Sequence, residues 1–279
     1  MRYRRVAEET ELIALLREPG AAILAGGTDL LVKMRRGLVR PELLVDIGRL
    51  PSLRGIRRTP GAIEIGAAVT ESEILASNVV RETLPLLATA LLSLGSVQIR
   101  NRGTLGGNLA NASPAADTAI PLLLYGAELD LIGAEGVRSV PLDGFLLGPG
   151  KTALLPGEFI RTLRVPVPEP GLAAFYHKVG RRRAMTIAIA SLGALFRVDA
   201  GRVTEARFAA GSVAPTPIRL RPSEESLHAV RLTEEVISRA SRLASESVSP
   251  ISDVRATAEY RSQVIGDLVA RALRAGGSA

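Results

Sequence analysis

The sequence contains no cysteine, no tryptophan and only two histidines, His177 and His228. Without cysteine the chain can form neither a disulfide bond nor a thiolate-ligated iron–sulfur cluster. Two histidines are too few for a histidine-rich zinc site. Any metal chemistry is therefore expected in a partner chain. Aromatic residues make up 3% of the chain and hydrophobic residues 47%, which predicts an aliphatic core.

Long apolar stretches are also missing. The amino terminus, Met1–Arg5, leads into further charged residues and lacks the apolar segment of a signal peptide. The charge-free run Thr83–Ile99 contains a proline, two serines and a glycine, and it is short for a membrane span. We therefore expect a cytoplasmic protein with no membrane span.

The chain carries a formal net charge of +7, and all but three of its cationic residues are arginines. They are spread along the sequence, and Arg181–Arg183 is the only triple. Rings that could stack on bases are nearly absent, which disfavours nucleic acid as a partner. The charge instead indicates a solvated face or a protein-docking surface. The triple is expected either at the rim of the site described below or as a solvated strand end.

The most informative feature that is present is a run of small and polar residues from Gln98 to Asp117, with glycines at 103, 106 and 107. Glycine adopts positive φ and has no Cβ, so such a segment can expose backbone N–H groups at close range. Consecutive N–H groups form an anion site that suits a phosphate or pyrophosphate. Irregular stretches of this length in compact domains are functional or disordered. The apolar flanks, Leu84–Val97 and Ile120–Leu131, favour an ordered functional loop.

A second glycine pair precedes it. Ala25–Asp29 follows the apolar run Ala21–Leu24 and leads into a predicted helix that Thr28 or Asp29 can cap. One Gly-Gly pair alone is typical of an ordinary turn. Two such loops flanked by buried segments are more specific, and helix N-termini near Thr28 and Thr118 would add favourable dipoles for an anion.

The two loops, Ala25–Asp29 and Thr104–Asn108, resemble the FAD pyrophosphate loops of the flavin (medium) subunit of molybdenum hydroxylases. That family includes aerobic carbon monoxide dehydrogenase and xanthine dehydrogenase. The resemblance is strongest from Ile99 to Asp117 and extends over nearly the whole chain. Further matching segments are Val45–Ile47, Ile65–Ala67, Lys178–Arg182, Ala214–Pro217 and Asp253–Ala256.

The resemblance implies an α+β fold. It consists of a two-lobed FAD-binding domain of the vanillyl-alcohol-oxidase type and a smaller α+β C-terminal domain built from a sheet and helices. Three prolines in the segment Pro166–Gly171 indicate the linker. We therefore predict an FAD-binding domain over 1–168, with lobes of about 1–55 and 56–168, and a C-terminal domain over 171–279.

Local patterns predict the elements around the loops. Thr70 and Glu73 have the spacing of a helix capping box, and Val80–Leu94 is typical of one buried helix. Turn residues predict hairpins at Pro60–Gly61 and Glu135–Gly136. The C-terminal part is predicted to contain three strands followed by three helices. Their predicted bounds are Ala173–Lys178, Ala188–Val198 and Val203–Ala210 for the strands, and 223–230, 233–247 and 252–274 for the helices.

The candidate cofactor-binding residues come mainly from the two loops. Backbone N–H groups of residues 25–29 and 104–108 are expected to donate to the pyrophosphate. Thr28, Thr104 and Asn108 offer side-chain donors, and apolar neighbours supply walls. The loop set is Ile23, Leu24, Ala25, Gly26, Gly27, Thr28, Asp29, Leu30, Gly103, Thr104, Leu105, Gly106, Gly107, Asn108 and Asn111.

Three further candidates lie outside the loops. Asp117 is expected either to bind a ribityl or ribose hydroxyl or to cap the helix that follows it. By resemblance, Ile160 and Lys178 match positions that line the flavin, where a cation would favour the reduced, anionic form. The alternative for Lys178 is an ordinary surface lysine. No catalytic or metal-ligating residue is assigned.

The chain lacks a nucleophile–base pair, a phosphate P-loop and a Gly-x-Gly-x-x-Gly motif. The resemblance implies an electron relay. A large subunit with a molybdenum cofactor hydroxylates the substrate, and a small subunit with [2Fe–2S] clusters passes electrons to FAD on this chain. FAD then reduces an external acceptor, and the assembly is expected to be a dimer of heterotrimers. Two alternatives remain: a self-sufficient FAD-dependent oxidoreductase of the same fold, and a non-enzymatic flavin-binding protein.

Overall fold

A computed structural model describes residues 1–182 and 185–277. The strands, in chain order, are β1 (Arg2–Arg5), β2 (Ala21–Leu24), β3 (Leu43–Asp46), β4 (Ile56–Thr59), β5 (Ala62–Gly66), β6 (Glu128–Gly133), β7 (Gly136–Pro141), β8 (Leu146–Gly148), β9 (Lys151–Thr152), β10 (Phe159–Pro166), β11 (Ala173–Val179), β12 (Ala190–Asp199), β13 (Arg202–Gly211) and β14 (Ile218–Arg219). The helices are α1 (Glu9–Leu15), α2 (Leu30–Arg35), α3 (Glu71–Ala76), α4 (Asn78–Thr83), α5 (Pro85–Leu92), α6 (Val97–Arg100), α7 (Leu105–Ala110), α8 (Ala119–Leu124), α9 (Leu142–Phe145), α10 (Arg221–Glu225), α11 (Glu234–Glu246) and α12 (Ala258–Gly277).

The first sheet is parallel, with strand order β1-β3-β2. Leu43 and Val45 of β3 are fully buried, and they pack with Leu12 of α1 in a small apolar core. The sequence did not indicate β1, because its residues are all exposed and carry no apolar alternation. Backbone pairing to β3 makes it a strand, and the parallel arrangement directs the carboxyl ends of β2 and β3 to one edge.

The second sheet is antiparallel, with strand order β4-β5-β10-β6-β7. The hairpins predicted at Pro60–Gly61 and Glu135–Gly136 are both confirmed. The predicted capping box is confirmed too, because Thr70 and Glu73 hydrogen-bond reciprocally at the start of α3. Helices α3, α4, α5, α7 and α8 pack beside this sheet around an aliphatic core.

The prediction of one helix over Val80–Leu94 is wrong. The chain forms α4 and α5, which are separated at Leu84, whose φ and ψ are −124° and 56°. Pro85 causes the break, because proline lacks a backbone N–H and disfavours helical geometry in the residue before it.

The prediction of an irregular loop over Gln98–Asp117 is also wrong in part, since α6 and α7 lie within it. Thr104 caps α7 by accepting the N–H of Gly107. A Cβ on Gly106 would lie 2.6 Å from the Cβ of Ala67, so the absence of a side chain allows α7 to contact the end of β5 closely. Capping and close packing thus outweigh the low helix propensity of glycine.

The third sheet is antiparallel, with strand order β11-β12-β13-β14. It is a central layer: α5 and α8 contact it on one side, while α12, paired with α11, contacts β12. The run from Ala190 to Phe196 is buried without interruption, as expected of a strand covered on both faces. The three predicted strands and three predicted helices are present, which confirms the α+β class.

Two of these helices differ from their predicted bounds. Helix α10 ends at Glu225, earlier than predicted, and α12 begins at Ala258 instead of at residue 252. The carboxylate of Asp253 accepts the N–H groups of Arg255 and Ala256, which holds this segment in a turn. Such local side-chain bonds compete with helix formation.

Candidate functional site

The two glycine loops meet where β2 ends. A Cβ on Gly26 would lie 1.9 Å from the backbone oxygen of Arg102, so only glycine permits this crossing. A cavity of about 250 Å³ lies beside it, bounded by both lobes. The predicted residues that line it are Ile23, Ala25, Gly26, Gly27, Thr28, Asp29, Leu30, Gly103, Thr104, Gly106, Gly107, Asn108, Asn111 and Ile160.

The first loop offers unpaired donors. The backbone N–H groups of residues 25–29 have no acceptor within the part of the chain that the structure describes. Gly27 has a φ of +75°, a left-handed conformation that glycine adopts without strain. These N–H groups are therefore available to an anion in the cavity.

The second loop differs from the prediction, because most of its N–H groups already have acceptors inside the protein. Leu105 and Gly106 donate to the carbonyl oxygens of Val69 and Ala67, while Gly107 donates to the hydroxyl of Thr104 and Asn108 to its carbonyl. The bonds to Val69 and Ala67 attach the start of α7 to the segment directly after β5. The second loop thus contributes close backbone approach and a polar wall, and the first loop contributes the free donors.

Two polar contacts order the cavity wall. Lys33 of α2 donates to the amide oxygen of Asn111 at 2.6 Å, which joins the first lobe to α7. Thr118 donates to the amide oxygen of Asn108 at 2.7 Å, which fixes the orientation of that side chain. Among the described residues that line the cavity, Lys33 is the only lysine or arginine.

Two residues of the predicted loop set, Leu24 and Leu105, lie outside the cavity lining. Leu105 is completely buried in the core of the second lobe. Leu24 is half-buried, and its Cδ1 atom lies 3.1 Å from the position that a Cβ on Gly27 would take. Both residues support the loops without lining the cavity.

Asp117 and Lys178 line an adjoining cavity, which shares Asp29, Asn108 and Asn111 with the first. The Nζ atom of Lys178 lies 2.5 Å from one carboxylate oxygen of Asp117 and 3.1 Å from the backbone oxygen of Ser93. The alternative of an ordinary surface lysine is therefore wrong, because this side chain is only 6% exposed.

Tyr176 completes this cluster by donating to the other carboxylate oxygen of Asp117 at 2.9 Å. The capping alternative for Asp117 is wrong, since Thr118 is the N-cap of α8 and Asp117 binds Tyr176 and Lys178 instead. Burial raises the pKa of Asp117, and the nearby Lys178 ammonium offsets part of that effect. Burial, reinforced by the Asp117 charge, raises the pKa of Tyr176 well above its ordinary value.

Several residues of the cavity wall were not predicted. Lys33 lies four residues after Asp29, one helical turn on, so helical spacing could have indicated it. Phe159 precedes the predicted Ile160. Glu71 follows the capping threonine, and nothing in its sequence neighbourhood indicates a site. The remaining unpredicted wall residues are Ile47, Ala67, Ala110 and Leu154.

The basic triple is described only in part. Arg181 and Arg182 are exposed, and Arg182 donates to the backbone oxygen of Met185, a residue of the adjoining cavity. Arg183 lies outside the described residues. Over residues 1–182 and 185–277, no cluster of three acidic or histidine side chains could hold a metal ion, and no helix is both long and apolar enough to cross a membrane.

Two family models together match most of the chain. The FAD binding domain in molybdopterin dehydrogenase matches residues 1–168, and the CO dehydrogenase flavoprotein C-terminal domain matches residues 174–275. The fold and the glycine-lined cavity accordingly define an FAD-binding flavoprotein.

Individual relatives support the same family as the two models. The xanthine dehydrogenase FAD-binding subunit of Escherichia coli O157:H7 is 36% identical over 266 residues, covering 94% of this chain and 91% of that protein. The carbon monoxide dehydrogenase medium chain of Hydrogenophaga pseudoflava is 36% identical over 267 residues, covering 95% and 93%. A structure of carbon monoxide dehydrogenase from the same organism, which lacks the Mo-pyranopterin moiety of its cofactor, matches with a TM-score of 0.96 at 35% identity and covers 100% of this chain and 97% of that one.

The chain belongs to the family of FAD-binding medium subunits of molybdenum hydroxylases, and FAD is its cofactor.

Proposed function

We propose that this chain is the electron-relay subunit of a molybdenum-containing dehydrogenase complex. FAD on this chain would receive electrons from [2Fe–2S] clusters in a small partner subunit and deliver them to an external acceptor. A large partner subunit with the molybdenum cofactor would oxidise the organic substrate, and two heterotrimers would form the assembly. The absence of cysteine supports the placement of the clusters in another chain.

The main support for the proposed cofactor site is the cavity between the two glycine loops. A pyrophosphate needs hydrogen-bond donors and close approach of the backbone. The N–H groups of residues 25–29, which have no acceptor within the described residues, supply the donors. Gly106 and Gly107 allow the close approach, and Lys33 adds a cation. Ile23 and Ile160 would supply apolar walls. The donor set of the cavity thus fits FAD.

The adjoining cavity would hold the flavin end. Lys178 has three N–H donors, of which Asp117 and Ser93 use two. Within the described residues no third acceptor is present, so one donor would remain for a ligand oxygen. The negative charge of Asp117 compensates the lysine, and the pair would act mainly by orienting the ligand. FAD exchanges electrons singly or in pairs, which suits a junction between clusters and a two-electron acceptor.

A glycine substitution tests the cofactor site. A Cβ on Gly107 would meet only the hydroxyl of Thr104, at 2.8 Å, and Gly107 lines the cavity. We expect Gly107→Val to lower FAD content at least tenfold while the fold persists. Gly144→Val is the matched control, because a Cβ at Gly144 has no atom within 4 Å. Gly27→Val is also expected to lose FAD, but the positive φ of Gly27 would strain that variant by itself.

FAD content by absorbance and folding by circular dichroism provide the measurements. Stoichiometric FAD in folded Gly107→Val protein would show that the cofactor lies elsewhere.

Reconstitution tests the relay. The isolated chain with FAD should not oxidise the organic substrate of its complex, because the described residues include no group of three side chains that could ligate a metal and the sequence shows no nucleophile–base pair. The complex with molybdenum and iron should pass electrons to an acceptor, and removing FAD should stop that transfer. Turnover of the substrate by the isolated chain would instead favour a self-sufficient oxidoreductase.

A further inference from the structure

Glu71 is a buried carboxyl group on the wall of the glycine-loop cavity, and it has no role so far. It follows the capping threonine of α3, is 2% exposed, and donates its backbone N–H to the oxygen of Gly103 at 2.9 Å. A Cβ on Gly103 would lie 2.8 Å from its Oε2 atom and 3.2 Å from its Oε1 atom. The carboxyl group therefore lies directly against the second glycine loop, next to the crossing at Gly26.

Within residues 1–182 and 185–277, the carboxyl group of Glu71 has no hydrogen-bond or ion-pair partner. Its Oε2 atom is fully enclosed, and neither oxygen accepts a hydrogen bond from the described part of the chain. The charged groups that face it are Arg100 of α6, Asp29 before α2 and Asp117 before α8. Two of these three carry the same sign as an ionised glutamate, and none of them forms an ion pair with it within the described residues.

An unpaired carboxylate in such a place is costly, because its solvation by water is lost and nothing replaces it. The group can avoid that cost by keeping its proton. Burial accordingly raises the pKa of Glu71 to about 8. Arg100 opposes this rise by a smaller amount than burial contributes, and Asp29 and Asp117 add lesser effects in the direction of burial. At neutral pH this side chain is a carboxylic acid, which has a hydrogen to donate.

We propose that Glu71 stays protonated and donates its hydrogen to a phosphate oxygen of the FAD pyrophosphate. This inference rests on the proposed FAD site. An anionic oxygen at the loop crossing requires donors, and an ionised glutamate there would repel it. Glu71 is thus a positioning residue for the cofactor, and it makes FAD binding depend on one proton.

The proton on Glu71 makes the affinity for FAD fall as the pH rises. Raising the pH through about 8 removes the proton from the cavity in the free protein, and FAD must then restore it on binding. Affinity should fall by up to about tenfold for each pH unit above that value. From pH 7 to pH 9.5 the loss should approach about 30-fold.

The test measures affinity for FAD and for ADP with the purified complex stripped of FAD, at pH values from 6.5 to 9.5. Flavin fluorescence reports FAD binding and calorimetry reports ADP binding. ADP carries the pyrophosphate without the flavin ring. The variants are Glu71→Gln, which keeps a neutral donor that cannot ionise, and Glu71→Leu, which has no donor. Glu82→Gln, at an exposed position of α4, is the control.

The parent protein should lose affinity for both ligands as the pH rises, and Glu71→Gln should not. At pH 6.5, Glu71→Gln should bind within about threefold of the parent and Glu71→Leu at least about tenfold more weakly. The Gln variant also corrects for titration of the flavin itself, and circular dichroism verifies folding.

Three outcomes would overturn the inference: an equal pH slope in parent and Glu71→Gln, parental affinity in Glu71→Leu at pH 6.5, or a pH effect seen with FAD but not with ADP. Each leaves the cofactor site in place. Retention of FAD by Gly107→Val would instead remove the site itself.

Discussion

At the scale of single residues, buried charge distinguishes the two halves of the cofactor region. Asp117 and Lys178 neutralise one another at 2.5 Å with both side chains almost fully buried. Glu71, in the neighbouring cavity, has no such partner in the described part of the chain and keeps its proton instead. A buried charge loses its hydration, which is unfavourable. An ion pair offsets that loss for Asp117, and protonation avoids it for Glu71.

The buried pair should be costly to break. Asp117→Asn leaves an uncompensated ammonium, and Lys178→Met leaves an uncompensated carboxyl, so each should lower the free energy of unfolding by about 3–5 kcal/mol. The double variant should cost clearly less than the sum, as urea unfolding would show. Glu246→Gln, which breaks the exposed pair with Arg242, serves as the control and should change little. Additive losses in the double variant would mean that the pair contributes no coupling.

At the scale of secondary-structure elements, glycines allow close packing rather than flexibility. Gly193 and Gly211 leave room for Ile120 of α8, because a Cβ on either would lie within 2.8 Å of that side chain. Gly266 lets α12 approach α11 in the same way, since its Cβ would lie 2.3 Å from the hydroxyl of Ser245 and 2.9 Å from the backbone oxygen of Ser241.

Gly266→Ala tests that packing. In an exposed helix the change would stabilise by about 1 kcal/mol through helix propensity. Here the clash with α11 should prevail and lower the free energy of unfolding by about 1–3 kcal/mol. Gly144→Ala in α9, with no atom within 4 Å of its Cβ, should be neutral or stabilising in the same chemical-denaturation measurement. A stabilised Gly266→Ala protein would show that α11 and α12 are not closely packed.

At the scale of the whole molecule, segments that are distant in the sequence are joined by side chains as well as by the chain. Arg161 of β10 forms an ion pair at 2.8 Å with Glu9 of α1. Arg221 of α10 forms one with Asp143 of α9 at 2.8 Å. The net charge of +7 is carried mostly by exposed arginines, which act on association with other molecules more than on the fold.

Charge reversal of Arg181, Arg182 and Arg183 tests the docking role of the basic triple. If these residues attract an acidic partner surface or an anionic acceptor, reversal to Glu should slow complex assembly or acceptor reduction severalfold at low ionic strength. The effect should fade as salt rises, with FAD still bound. Reversal of Arg57 and Arg58 on the edge strand β4 is the control for added negative charge. Unchanged kinetics across a salt series would make the triple a solvated strand end.

Local signals predicted much of the fold. The capping box at Thr70, both hairpins and the strands around the first loop follow from residues close together in the chain. The break at Pro85 was also readable, because proline acts on its immediate neighbours. The short helices α6 and α7 were not predicted. Glycine has a low helix propensity, and α7 depends on the close packing of Gly106 against Ala67, which is distant in the sequence.

Composition and glycine spacing alone excluded a thiolate-ligated cluster on this chain and indicated an anion site in two loops. Only folding determined which N–H groups remain free, because the acceptors for Leu105 and Gly106 come from the distant residues Val69 and Ala67. Folding likewise pairs Lys178 with Asp117, and it leaves Glu71 without a partner among the residues that the structure describes. Protonation and hydrogen bonding depend on distances of a few ångströms, which the chain sets only when remote segments pack together.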